Sequence, residues 1–255
     1  MTEPKFFHWP TISIWAYAIR NNLATMSDSS WYRYCRILEI SSKRIKSYPK
    51  PKYKPLRAKL VNEIWHADVS VFKTSDNIKF YIYTVIDNFS RMILAWDVST
   101  KLSASIRLQS IKRAIEIQFT NTENQSVDLI VDGGSENNNQ TIHNFIQNSQ
   151  VNINKKIALR DIVQSNSMVE ATFKLMKYKY FFKQPILAEN IWSHMEYFVN
   201  DFNILRPHYA HGIKTPHEVH YNKEVVNYDS SLNQAIKERV ESNRQNICDL
   251  NCHLT

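Results

Sequence analysis

The sequence predicts an α/β domain, and three observations carry that prediction. Residues 65–96 read as three short strands in succession. Two further apolar runs of strand length follow at 127–131 and 151–157. Stretches of helical spacing fall between and after them, at 103–119, 141–146, 166–181 and 185–203.

The whole chain narrows the class. Its 255 residues allow one large domain, or one core with a smaller appendage. Apolar residues make up 43% and charged residues 22%, the balance of an ordinary soluble protein. No apolar run reaches membrane-spanning length, so no membrane partner is expected. The opening MTEPKFFHWPTISIW lacks the apolar run and small-residue cleavage site of a signal peptide, which points to the cytoplasm. Cys35, Cys248 and Cys252 are too few and too scattered for a disulfide framework, as in a reducing compartment. Cys248-x3-Cys252-His253 has the spacing of metal ligands but no partner cluster, and is read as no site. The formal charge of +8 is uneven: residues 1–60 hold twelve Lys/Arg against three Asp/Glu, and the rest of the chain is close to balanced. A basic surplus at one end steers toward a polyanion such as nucleic acid, unless it is only a solvated arm.

In chain order, Ile12, Trp15, Ala16, Ile19 and Leu23 form a helical apolar stripe. Ser27 or Asp28 can cap a second helix over 29–38, with Trp31, Tyr34 and Leu38 inward and Arg33 and Arg36 pointing elsewhere. Two such helices fit a helix-turn-helix or a plain helical hairpin. Residues 42–59 carry eight basic residues, no acid and three prolines. Prolines 49, 51 and 55 oppose helix and central strand, so the stretch reads as an extended linker. It either tracks a phosphate backbone or only connects.

In the 65–96 meander, Val69-Ser70-Val71-Phe72 and residues 80–86 alternate apolar and polar, and Asn77 and Asn88-Phe89-Ser90 supply turns. Asp68 sits inside the first strand, where a carboxylate needs water, hydrogen bonds or a cation. Alone it reads equally as a satisfied structural residue. Helix 103–119 has a stripe of Ile106, Ile111, Ile115 and Phe119. Strand 127–131 runs into Asp132-Gly133-Gly134-Ser135-Glu136-Asn137, which holds two of only three glycines in the chain. Those glycines open backbone geometries costly to other residues and permit close approach of a ligand; the alternative is a simple turn. Glu170 stands near the start of helix 166–181, with Lys174 and Lys177 one and two turns beyond. These read as a helix ion pair on a solvated face, or as an acid beside DNA-gripping lysines. Helix 185–203 carries Ile186, Ile191, Met195, Phe198 and Phe202 inward, and a last helix is expected over 232–240. Carboxylates gathered in one cleft repel unless protonated or bridged by cations, and divalent ions supply that bridge for phosphoryl transfer.

With these residues in view, the chain resembles the DDE transposase and retroviral-integrase superfamily, and more closely bacterial insertion-sequence transposases with an integrase-type core. Trp65-x2-Asp68-Val69-Ser70 is similar to the first catalytic strand. Residues 81–87 followed by Phe89-Ser90-Arg91 resemble the "viDxfSR" segment. Asp132-x-Gly134-Ser135-Glu136 resembles the second catalytic motif, and Asn166-x3-Glu170 with Lys174 or Lys177 the third, 38 positions after Asp132. Phe202-Asn203, Arg206-Pro207-His208 and Thr215-Pro216-His217-Glu218 are similar to the family's tail. The chain departs from its bacterial relatives at Ile130-Val131, where a His-Ser pair is usual, and at Gly134, where a basic residue is common.

The resemblance implies a ribonuclease-H-like, mixed five-stranded sheet flanked by helices over residues 61–222. A helical DNA-binding region at 1–41 and a basic linker at 42–60 precede it, and a helix with a polar tail at 223–255 follows. It implies that Asp68, Asp132 and Glu170 are catalytic and hold Mg²⁺, with Mn²⁺ as a substitute. Asn166 shapes the approach to Glu170, and Glu136 is a supporting acid. DNA contacts are expected from Arg33, Arg36, Lys43, Arg44, Lys46, Lys50, Lys52, Lys54, Arg57, Lys59, Lys174 and Lys177. The implied activity is 3′-end cleavage and strand transfer of a mobile element by a homo-oligomer on double-stranded DNA, both terminal inverted repeats and target. The alternatives are an inactive transposase-derived DNA-binding protein and a metal-dependent nuclease. The expected location is the bacterial cytoplasm, with the protein on the nucleoid when bound to DNA.

Overall fold

The computed structural model describes residues 3–40, 56–119, 125–134, 140–162, 166–182, 184–223, 233–234, 236–242 and 244–245. Helices α1 (Thr11–Arg20) and α2 (Asp28–Ile37) come first. Strands β1 (Ile64–Lys73), β2 (Lys79–Asp87) and β3 (Ile93–Ser99) form the expected meander, followed by α3 (Ala104–Gln118), β4 (Ser126–Val131), α4 (Gln140–Asn148) and β5 (Asn152–Ile157). Then come α5 (Ser167–Leu175), which runs on as a π-helical stretch Met176–Phe181, and α6 (Ile191–Asn200), which runs on in the same way through Asp201–Leu205. The short α7 (Pro216–His220) closes the core.

The five strands make one mixed sheet in the order β3-β2-β1-β4-β5. β1 pairs antiparallel with β2, and β2 with β3, whereas β4 and β5 run parallel to β1. Side chains alternate across a strand, so each strand feeds two cores. One face carries Trp65, Ala67, Val85, Leu129 and Val131 against Ile111, Ala114 and Phe119 of the α3 segment. Trp65 is fully buried and stacks on Phe119 at 5.3 Å. The other face carries Ile82, Ile86 and Val98 against Val169, Phe173 and Met176 from α5 and Met195 and Phe198 from α6.

The N-terminal helices pack on this core. Trp9 Nε1 donates to both carboxylate oxygens of Asp201, Ser13 Oγ donates to the Pro207 carbonyl, and Arg20 donates to both carboxylate oxygens of Glu218 at 2.5 and 2.6 Å. Glu218 also completes a capping box with Thr215 at the start of α7, which accounts for the Thr-Pro-x-Glu tail motif as a folding device. Asn203 brackets Ile93 of β3, accepting from its amide and donating to its carbonyl. The fold therefore depends on contacts almost two hundred residues apart in sequence.

Several expectations fail on packing. Ser27 caps α2 as read, but Tyr34 (53% exposed) and Leu38 (63%) face outward, and Cys35 is the buried residue of that helix. Of the expected α3 stripe, Ile111 and Phe119 are buried and Ile115 packs against the core, and the buried face also takes in Arg107, Ser110 and Ala114. Helix α6 starts at Ile191 rather than near 185. The preceding backbone is engaged elsewhere: Ile186 accepts from the Ser75 amide, and the Ala188 amide donates to the Asp76 carboxylate. At the C-terminal end residues 233–234 and 236–242 are helical, close to the expected place.

Candidate active site

In the parallel β1–β4 pair, His66 lies beside Ile130. Asp68 and Asp132 each stand two residues beyond that last pair, Asp68 within β1 and Asp132 just after β4, on neighbouring strand lines. Trp65 and Ala67 face the α3 side. Alternation therefore turns His66 and Asp68 toward α5. The start of α5 is tied down there. Neutral His66 donates from Nδ1 to Asn166 Oδ1 at 2.6 Å and accepts from Asn88 Nδ2 at 2.8 Å. Asn166 Nδ2 donates to the Ala67 carbonyl, next to Asp68. Glu170 lies one turn beyond Asn166, with its amide on the Asn166 carbonyl. Burial holds the His66 imidazole below its usual range, which suits this uncharged bridging role.

Asp68 feels the other two carboxylates. Its pKa is pushed up to about 6, first by burial and then by the negative charges of Asp132 and Glu170. The Val69 amide, which donates to Oδ1 at 2.8 Å, and the Arg107 guanidinium act in the opposite direction. Asp132 Oδ1 accepts from the Gly134 amide at 3.3 Å, which shapes the loop after β4. Gly133 has no left-handed φ, and a Cβ there would meet only the Ile157 side chain at 3.9 Å, an ordinary contact, so its backbone does not demand glycine. Among the described residues, no three His, Cys, Asp or Glu side chains close into a chelating set as they stand. The three carboxylates share one electrostatic cleft without converging to ligation distance, as mutual repulsion requires. Their all-oxygen, negatively charged donor set fits a hard divalent ion such as Mg²⁺ or Mn²⁺.

The cations divide into groups. Lys177 is half-buried, and its ammonium is lowered by burial while the charge of Asp68 works against that shift. Lys174 is exposed, as are Arg33 and Arg36 on α2, and Arg57 and Lys59 before β1. Lys43, Arg44, Lys46, Lys50, Lys52, Lys54 and Glu136 lie outside the described residues. Sequence reasoning passed over Arg107, which is fully buried, donates from Nη1 to the Asp68 carbonyl at 2.9 Å and lies over the Tyr83 ring. Its signal was present: Arg107, Ile111 and Ala114 share one helical face.

A mixed five-stranded sheet in this strand order with helices on both faces is a ribonuclease-H-like fold. Residues 58–154 match the family model of the integrase core domain (rve). Among solved structures the chain is similar to the simian T-cell lymphotropic virus intasome, at 20% identity and a TM-score of 0.54, over 80% of this chain and 74% of that one. It is also similar to the HTLV-2 integrase catalytic core domain in complex with magnesium, at 20% identity and a TM-score of 0.50, over 64% of this chain and 99% of that one. A comparison with curated proteins gave no match.

Proposed function

We propose that the chain is a DDE-type DNA transposase that cleaves the 3′ ends of a mobile element and joins them to target DNA. The observation that carries this reading is the setting of Asp68: a largely buried carboxylate that feels the negative charges of two others. Carboxylates within electrostatic reach of one another suit something that arrives with positive charge. Asp68, Asp132 and Glu170 would hold divalent ions, as the HTLV-2 core was solved with magnesium. When bound, such ions lower the pKa of water or a terminal hydroxyl and stabilise the leaving oxygen.

The chain's own residues set the geometry. The β1–β4 pairing supports this by bringing the Asp68 and Asp132 stretches side by side, and the His66–Asn166–Ala67 links would hold the start of α5, with Glu170, beside them. Arg107 anchors the backbone at Asp68 from below. Lys177, Lys174 and the basic residues of 33–59 would hold the phosphate backbone, with double-stranded terminal repeats and target as substrates and a homo-oligomer bringing two ends together. Water would attack first and release a 3′ hydroxyl, which would then attack the target strand.

A supercoiled-plasmid assay with labelled terminal repeats and Mg²⁺ or Mn²⁺ tests this. Joined products that vanish in Asp68→Asn are expected. Cleavage without joining would instead identify a nuclease, and DNA binding with neither step would identify an inactive DNA-binding protein.

A further inference from the structure

Within the "viDxfSR" segment, most polar residues have evident partners. Asp87 is fully buried; its Oδ1 accepts from the Asn62 amide and its Oδ2 from the Ser90 amide and hydroxyl. Arg91 is different. It ends the β2–β3 hairpin loop at φ 68°, the left-handed region where glycine or asparagine is normally found. An arginine there costs backbone strain, so a use for its side chain is the natural inference.

The side chain makes no salt bridge among the described residues, although the charge of the buried Asp87 acts on it from nearby. Among the described residues neither Arg91 nor Arg57 makes a salt bridge, and the buried Nε of Arg91 lacks a hydrogen-bond partner; Arg206 has an unpartnered Nη1 but is otherwise held beside Tyr180 and the charge of Asp201. Arg206 is only 3% exposed. Arg91 lines two adjoining cavities along one side of α5. One, of about 220 Å³, is shared with Arg57 and His66, and the other, of about 340 Å³, with Arg206 and His208. Neither is lined by an Asp or Glu among the described residues. Burial holds His66, His208 and His211 below the usual imidazole range, with the charge of Arg91 acting the same way. Met168, Ala171 and Leu175 of α5 supply an apolar wall. By helical spacing that wall lies on the side of α5 away from Glu170.

We propose that Arg91, flanked by Arg57 and Arg206, is a binding site for a phosphodiester group of a nucleic-acid strand, separate from the acidic cleft. Guanidinium groups match the oxygens of a phosphate in a way a single ammonium does not. The apolar wall suits the sugar and base beside that phosphate, which favours a strand over a free anion. The nucleic-acid part rests on the function proposed above. The arrangement gives α5 two working sides, with Glu170 toward the cleft and a phosphate clamp behind it.

The test uses the full chain with Arg91→Gly and Arg91→Gln, measured for affinity toward a DNA duplex in chelator across a salt series. Arg91→Gly removes the left-handed strain, so its melting temperature should hold or rise while binding weakens about tenfold. The slope of log K against log salt should fall by about one in both variants. Unchanged affinity and slope would overturn the site. Inorganic phosphate should raise the melting temperature of the unmodified chain and not of Arg91→Gly. If that difference holds while DNA affinity is unchanged, the occupant is free phosphate and the strand assignment is wrong. Joining activity with unaltered binding in Arg91→Gly would sink this site and leave the transferase reading intact. Arg91-dependent binding without cleavage or joining would do the reverse.

Discussion

Asp68 and Asp201 are both largely buried carboxylates whose pKa burial raises, yet their surroundings differ in kind. Asp201 accepts from Trp9 Nε1 on both oxygens and from the Tyr180 hydroxyl, with the charge of Arg206 nearby. Burial and that carboxylate keep the Tyr180 phenol well above its usual range, so it stays a donor. Asp68 has one backbone donor, two negative neighbours and the charges of Arg107 and Lys177 nearby. Donors converging on Asp201 make it an internal staple between the N-terminal segment and the end of α6. Two further carboxylates within electrostatic reach of Asp68 make an acidic cleft. Burial alone does not separate structure from function; the number of donors on the carboxylate and the acids beside it do.

The contrast can be broken by substitution. Asp132→Asn and Glu170→Gln should each lower joining roughly a thousandfold or more with little loss of fold, measured by product formation and melting temperature. Asp201→Ala should destabilise by about 3 kcal/mol in urea unfolding, because it strands the Trp9 and Tyr180 donors and leaves Arg206 uncompensated. Asn166→Ala should cost about 10- to 100-fold in joining rate through loss of aim at Glu170, with substrate binding little changed. Arg20→Ala should cost about 1 kcal/mol at pH 7. Arg20 hydrogen bonds help hold the Glu218 carboxyl below the usual range. The pair's contribution is therefore present above the ordinary glutamate pKa and is lost as pH falls through the lowered one. Chemical unfolding between pH 3 and 7 checks that sign.

Much of this was legible in the sequence because period-two alternation and turn residues are local signals. Strands β1 to β5, with Asp68 inside β1 and Asp132 just after β4, followed from them, and helical spacing put Glu170 early in α5. The staples were not legible. Trp9 meets Asp201 and Arg20 meets Glu218 across almost the whole chain, and no local pattern encodes such partners. Tyr34 and Leu38 were misassigned because apolar type was taken for burial, whereas the small Cys35 occupies the interior of α2. Arg107 was missed because a charged residue was excluded from the stripe; only the fold shows its guanidinium beneath Asp68. The left-handed φ of Arg91 is likewise a property of the hairpin rather than of the residue type.

The central claim is that the Asp68 cleft is held in a charge state that a divalent ion relieves. Its pKa of about 6 lies above the ordinary 3.8, so the native chain binds the extra proton between those values. Stability from that proton is present at low pH and is lost as pH rises through about 6, leaving a penalty of ~3 kcal/mol at neutral pH. Melting temperatures of the unmodified chain and Asp68→Asn, with chelator and with Mg²⁺ at pH 7.5, measure this directly. The account predicts that Asp68→Asn melts higher in chelator, that the gap closes near pH 4, and that Mg²⁺ raises the unmodified chain far more than the variant. Equal melting in chelator together with equal response to Mg²⁺ would contradict it.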